Sequence, residues 1–197
     1  MRYARTVFRP RTGMIMGGIA AGVCAVALVG LAIELPLAEW AQLAPAIALV
    51  GTLGIVLFWL PSVTVGEEGI TVRNVLATHE VPWSAVRTVD TRYSLVLETA
   101  EGRISAWAAP SPGRHAAFVT RTGEVGRAAS AGLADPRPGD LESTTSGAPA
   151  TVIRTTLADL IEDGALGAAE PVRTRRHWAT IAVLGVLGAA VLATALL

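Results

Sequence analysis

Apolar and polar positions follow three different rhythms along this chain. Residues 14–33, 41–60 and 178–197 are continuous apolar runs, each 20 residues long and free of Asp, Glu, Arg and His. At about 1.5 Å of rise per residue, such a run makes a helix about 30 Å long, which is the thickness of a bilayer core. Helices buried inside soluble domains are usually shorter. The pattern therefore predicts three membrane spans, the first two forming a hairpin over 14–60. Between the second and third spans the rhythm changes to two. "PSVTV", "ITVRNVL", "SAVRTVD", "SLVLET" and "RISAWA" alternate apolar with polar residues, separated by "GEEG", "HEVPW" and "AEG". This predicts an antiparallel meander of about five short strands within 61–120. Val72, Val81, Trp83, Val86, Val89, Leu95, Leu97, Ile104 and Trp107 are its expected inward residues. Asn74 breaks the alternation and marks a bulge.

Over 121–150 no period survives. The stretch is rich in Gly, Pro, Ser, Thr, Asp and Ala, and reads as a flexible linker. Helical spacing then appears: Val152, Ile153, Leu157, Leu160 and Ile161 share one face over 151–164. Thr151 is the expected N-cap and Gly164 the stop. An amphipathic helix needs something to cover it, and the open side of the sheet is the nearest surface.

Charge adds orientation. The leader, 1–13, carries Arg2, Arg5, Arg9 and Arg11 with no acid, whereas the connection "ELPLAEW" carries Glu34 and Glu39 with no base. Arg173, Arg175 and Arg176 precede the third span. Excess Arg marks the cytoplasmic side. The leader and residues 61–177 are thus expected in the cytoplasm, with the hairpin tip and the C-terminus outside a plasma (inner) membrane. Trp40, Trp59 and Trp178 stand at span ends and are the expected interfacial anchors. Arg173, Arg175 and Arg176 are also positioned for weak contact with anionic lipid. "GIAAG" puts Gly18 and Gly22 on one helix face, a spacing that permits close helix approach.

Composition narrows the chemistry. Charged residues make up 16% of the chain, hydrophobic residues 52%, and every basic residue is Arg. The absence of Lys beside abundant Ala, Gly and Val suggests a GC-rich coding sequence of actinobacterial kind. Cys24 is the only cysteine, so no intrachain disulfide forms, and it reads as a small residue within a span. His79, His115 and His177 are scattered, and "HEVPWS" lacks the second His of a zinc-protease motif. No nucleophile elbow and no Gly-Lys-Ser phosphate loop occurs. Asp159, Glu162 and Asp163 read as a solvated face. The expectation is a non-enzyme with no catalytic, metal or cofactor site. Residues 63–176 hold 12 Arg against 14 Asp plus Glu, which argues against nucleic acid as a partner.

The run "PSVTVGEEGITVRNVLATHEVPWSAVRTVD", followed by "LVLETAEGRISAWA", resembles the bacterial PH-like domains of small actinobacterial membrane proteins, of the low-molecular-weight protein antigen 6 type. The resemblance rests on the span directly before the first strand, "GITVRN", "VPWSAV" and the hairpin with "EGR". It implies a membrane protein of α+β class: two N-terminal transmembrane helices, a small PH-like antiparallel β roll closed by one C-terminal helix, and one C-terminal transmembrane helix. It also implies seven strands before that helix, where the pattern gives about five. In PH domains of the inositide-binding kind, the loop between the first two strands is basic. The loop matched to it here is "GEEG", and Glu67 and Glu68 would repel phosphate. The function expected is a membrane-integral interaction module that presents a surface to a protein partner at the cytoplasmic face. The alternative is a lipid-sensing module that uses the 151–163 helix and the Arg cluster.

Overall fold

The structure, a computed structural model, describes residues 5–111, 140 and 144–196. The chain divides into two compact units: Met1–Pro10 with Ser62–Arg175, and Arg11–Pro61 with Arg176–Leu197.

The second unit is helical. It contains α1 (Arg11–Glu34), α2 (Leu37–Gly54) and, after the β unit, the last helix α4 (Trp178–Ala195). A π-helical turn, Ile55–Trp59, continues α2 without a break. All three helices are long and apolar enough to cross a membrane. The second begins one turn before the expected 41, because Pro36 is preset for a helix entrance and Leu37–Trp40 extends the run. Pro45 accordingly lies inside α2. Of the expected Gly18–Gly22 pair only Gly18 meets the second span, at Trp59. The buried glycines are Gly17, Gly51 and Gly54. A Cβ on Gly17 would lie 2.6 Å from the Gly54 carbonyl oxygen, and one on Gly51 would lie 3.0 Å from Cys24 Cβ. Gly22 faces open space.

The first unit holds two antiparallel sheets. One has the order β1-β2-β3-β4-β8, the other β5-β6-β7. Their strands are β1 (Thr6–Phe8), β2 (Ser62–Val65), β3 (Gly69–Arg73), β4 (Ala77–Pro82), β5 (Val86–Asp90), β6 (Ser94–Thr99), β7 (Arg103–Pro110) and β8 (Arg173–Arg176). Among the described residues, seven strands precede the helix. The sequence pattern misses two of them: β1, which sits in the basic leader, and β4, which takes in most of the "HEVPW" read as a turn and buries only Val81. Thr6, Val7 and Phe8 pair with Val65, Thr64 and Val63, so a segment that reads only as a charged tail completes the sheet. Three residues are too few for a period to show.

Inward residues form one core: Val63, Val65, Ile70, Val72, Val81, Trp83, Val86, Val89, Leu95, Leu97, Ala106, Ala108 and Ala109, with Ala150 and Ile153 from the helix. Trp107 is not among them. It projects outward, 56% exposed, because Ala106 and Ala108 take the inward positions of β7. Asn74 does not make a bulge. Its Nδ2 donates to the Ser105 carbonyl at 2.7 Å and its Oδ1 accepts from the Trp107 N–H at 2.8 Å. One side-chain amide thus supplies the pairing that a strand would otherwise give, and it stitches the β3–β4 turn to β7.

The closing helix, α3, runs Gly147–Glu162, one turn earlier than expected. Thr144 Oγ1, not Thr151, accepts the Gly147 N–H at 2.9 Å. Pro149 is tolerated in the first turn. Gly164 ends the helix as expected, at φ +65°, with Gly164 N–H on the Ile161 carbonyl and Ala165 N–H on that of Leu160. The face turned to the sheets carries Ala150, Ile153 and Thr156, with Leu157 and Leu160 partly covered, while Ile161 is 59% exposed. The end of the expected linker is therefore folded. Asp140 and Ser146 are buried, and Asp140 Oδ1 accepts from the Thr91 hydroxyl at 2.5 Å and from Arg154 Nη1 at 2.8 Å. Arg154 Nη2 also reaches the Val89 carbonyl at 2.9 Å, fixing the helix to β5. The rest of that linker, 121–139 and 141–143, lies outside the described residues, as does His115.

Candidate functional surface

The outer face of the five-stranded sheet carries a polar row. Thr64 pairs with Thr71 and Thr71 with Glu80, and all three point away from the core because Val63, Val65, Ile70, Val72 and Val81 point into it. This row floors a groove. One end is closed by the "GEEG" turn between β2 and β3. The turn is held in two ways. The Gly66 N–H donates to the Gly69 carbonyl at 2.9 Å. The Trp83 indole N–H is shared between the carbonyls of Gly66 and Glu67, each at 3.1 Å. Gly69 has no substitute here: at φ +156° its Cβ would fall 2.3 Å from the Val81 carbonyl oxygen. Thus "GITV" and "VPWS", which carry the sequence resemblance, are the two sides of one clamp that sets Glu67 and Glu68 on the groove rim. Arg5 and Arg173 stand on its flanks, with Glu170.

The expected lipid-contact arginines form an edge strand. Arg173, Arg175 and Arg176 belong to β8, beside β4. Arg173 lines the groove, and Arg175 Nε lies 3.8 Å from Glu80 Oε1. At that distance, and with Arg175 75% exposed, the pair contributes little to stability. The cluster is thus shared between sheet and solvent. The sequence pattern misses β8 because all four of its residues are exposed and none alternates with an apolar position.

β8 is held beside β4 by His79, whose Nδ1 lies 3.0 Å from Thr174 Oγ1. Partial burial removes water from the imidazole and lowers its pKa below the usual 6.5.

Of the expected anchors, Trp40 donates its indole N–H to the Leu28 carbonyl of α1 at 2.9 Å. The Trp59 ring covers Gly18, where an added Cβ would meet its Cζ3 at 3.1 Å. Trp178 opens α4 and is 68% exposed.

Residues 60–132 match the family model of the bacterial PH domain. No curated protein and no solved structure matches the chain. The matched stretch covers β2 to β7 but neither β1 nor α3, and both are needed to complete the PH-like fold seen here. Along the whole chain β1 and β2 are joined by the helical hairpin α1–α2, while within the matched stretch "GEEG" joins the first two strands, β2 and β3.

Proposed function

We propose that this protein is a non-enzymatic, membrane-integral PH-like module that presents the groove face of its larger sheet to a protein partner at the cytoplasmic side of the plasma membrane. This reading rests on the threading of the fold. The β unit is interrupted by two helices able to span a bilayer, and then closes on itself through β1–β2 pairing. Two crossings return the chain to the side it left, so the leader and the β unit share a side. The Arg-rich leader selects the cytoplasm for both. A domain built around its own anchor is held at the bilayer, and its exposed surface is what it can offer. The groove mixes Glu67, Glu68, Glu80 and Glu170 with Arg5 and Arg173, and β8 ends the sheet among the described residues. Edge strands and mixed-charge grooves suit an extended peptide.

The alternative, a lipid sensor that lays the 151–163 helix on the membrane, is disfavoured because the apolar face of α3 is already packed on the sheets. The test is site-specific photocrosslinking in intact cells, with the full chain carrying the crosslinker at Thr71 or at Arg87. Protein adducts specific to Thr71 are expected. Equal adducts at both positions, or none at Thr71, would defeat the reading. Sidedness is read by replacing Cys24 with Ala and Glu68 with Cys. A membrane-impermeant maleimide should label position 68 only after permeabilisation.

A further inference from the structure

The chain passes between the two units at Pro10/Arg11, at Pro61/Ser62 and at Arg175/Arg176. All of these junctions fall at one end of the larger sheet. Phe8, the last residue of β1, pairs with Val63. Ser62, the first of β2, pairs with Arg73, the last of β3. β8 runs antiparallel to β4: the Glu170 N–H reaches Ser84 Oγ at 3.1 Å, and Thr174 reaches His79 at 3.0 Å, so rising numbers on one side meet falling numbers on the other. Its last residue, Arg176, therefore points toward the Ala77 end of β4.

The β3–β4 turn lies at that same end, since Arg73 pairs with Thr78. At its tip Leu76 is 47% exposed. The Asn74 side chain holds the backbone of Trp107 beside this turn, and Trp107 is 56% exposed. These are two of the few large apolar side chains that the β unit leaves in the open. The charges of the segments that form this end are of one sign, and the acids Asp90 and Glu98 on β5 and β6 are ion-paired with Arg103. Arg9, Arg11, Arg73 and Arg176 stand at this end, and residues 8–11, 73–78, 105–107 and 176–178 contain no acid. The acids Glu67, Glu68 and Glu170 stand at the other. An exposed leucine and tryptophan beside arginines, at the end where every connection to an apolar helix departs, are the chemistry of a lipid headgroup interface.

We propose that Leu76 and Trp107 form an interfacial contact with the bilayer in which the apolar helices lie, resting at headgroup depth within a basic surround. The contact fixes the domain's attitude on the membrane, with the acidic "GEEG" end directed away. It rests on the reading that the helices span a bilayer.

The experiment uses the full chain with Cys24→Ala, reconstituted one molecule per nanodisc of mixed neutral and anionic lipid. A single cysteine at Leu76→Cys, Glu68→Cys or Val26→Cys carries an environment-sensitive fluorophore. Spin-labelled lipids quench it from headgroup or mid-chain depth. Val26, 74% exposed on α1, reports whether the helices are inserted at all. The expected result is mid-chain quenching at 26, headgroup-depth quenching with a blue shift at 76, and neither at 68. Quenching at 26 with none at 76 overturns the interfacial contact alone. Equal quenching at 68 and 76 overturns it too, since no end would be favoured. No quenching at 26 overturns the membrane reading and this inference with it. A blue shift at 76 without lipid quenching would mean burial against protein, and would also overturn it.

Discussion

The two units solve the same packing problem with opposite side chains. In the β unit the fully covered residues are large: Ile70, Leu95, Leu97, Ile153 and a run of valines. In the helical unit the covered residues of α1 and α2 are Gly17, Gly51 and Gly54, and most of the large apolar side chains point outward. Water explains the first pattern, because each buried aliphatic side chain contributes about 1.5–3 kcal/mol by leaving it. On the proposed membrane reading, lipid explains the second. A leucine gains nothing by moving from acyl chains to a helix interface, so association depends on close backbone approach, which small residues allow. One chain thus carries two solvent logics, and the same substitution should have opposite consequences in each.

Perturbations of this contrast can be ranked. The largest effect is expected for Trp83→Ala. It removes a buried ring and the indole N–H shared by Gly66 and Glu67, and should destabilise the β unit by about 3–5 kcal/mol in denaturant unfolding. Val186→Ala on α4, 69% exposed, should be near neutral in the same assay. Next comes Gly17→Leu, which drives a side chain into the Gly54 carbonyl and should weaken α1–α2 packing by about 1–3 kcal/mol. Gly22→Leu, with open space around it, is the matched control and should change nothing measurable in detergent unfolding. If both glycine variants behave alike, the close-approach account of the helical unit fails.

A smaller effect, about 1–3 kcal/mol, is expected for Asn74→Ala, which leaves the Ser105 carbonyl and Trp107 N–H without that partner. Hydrogen exchange at the Trp107 amide should accelerate. The smallest is pH-dependent. His79 has a folded pKa below 6.5, so the unfolded chain takes up its proton first as pH falls. The stability that neutral His79 confers is complete above about pH 6.5 and is lost as pH drops through the folded value. Thermal unfolding at pH 5 and pH 8 should differ less in His79→Gln than in the parent chain.

Legibility in the sequence follows length. The apolar runs are plain because about 20 uninterrupted apolar residues exceed what the interior of a small soluble domain usually holds, and match a bilayer core. β2, β3, β5, β6 and β7 are plain because alternation repeats several times, whereas β4 buries only Val81 and reads as a turn; Gly164 is plain because a helix stop of this kind takes a positive φ. β1 and β8 are not legible: one is three residues between arginines, and the other has no covered side chain. Trp107 misleads because a large aromatic in a strand defaults to the core, and only the alanines on either side fix which face it takes.

What the sequence determined by itself, then, was everything set by local solvent preference: which segments are apolar enough for lipid, which alternate, and where turns must fall. What only the tertiary structure decided was pairing across distance. The Arg-rich leader becomes the first strand because it pairs with the edge of β2 that β3 leaves open. Asn74 becomes a stitch because β7 passes within reach, and the arginines before the last helix become a sheet edge because His79 and Thr174 meet. Each of these depends on residues more than thirty positions apart whose contact no local pattern encodes.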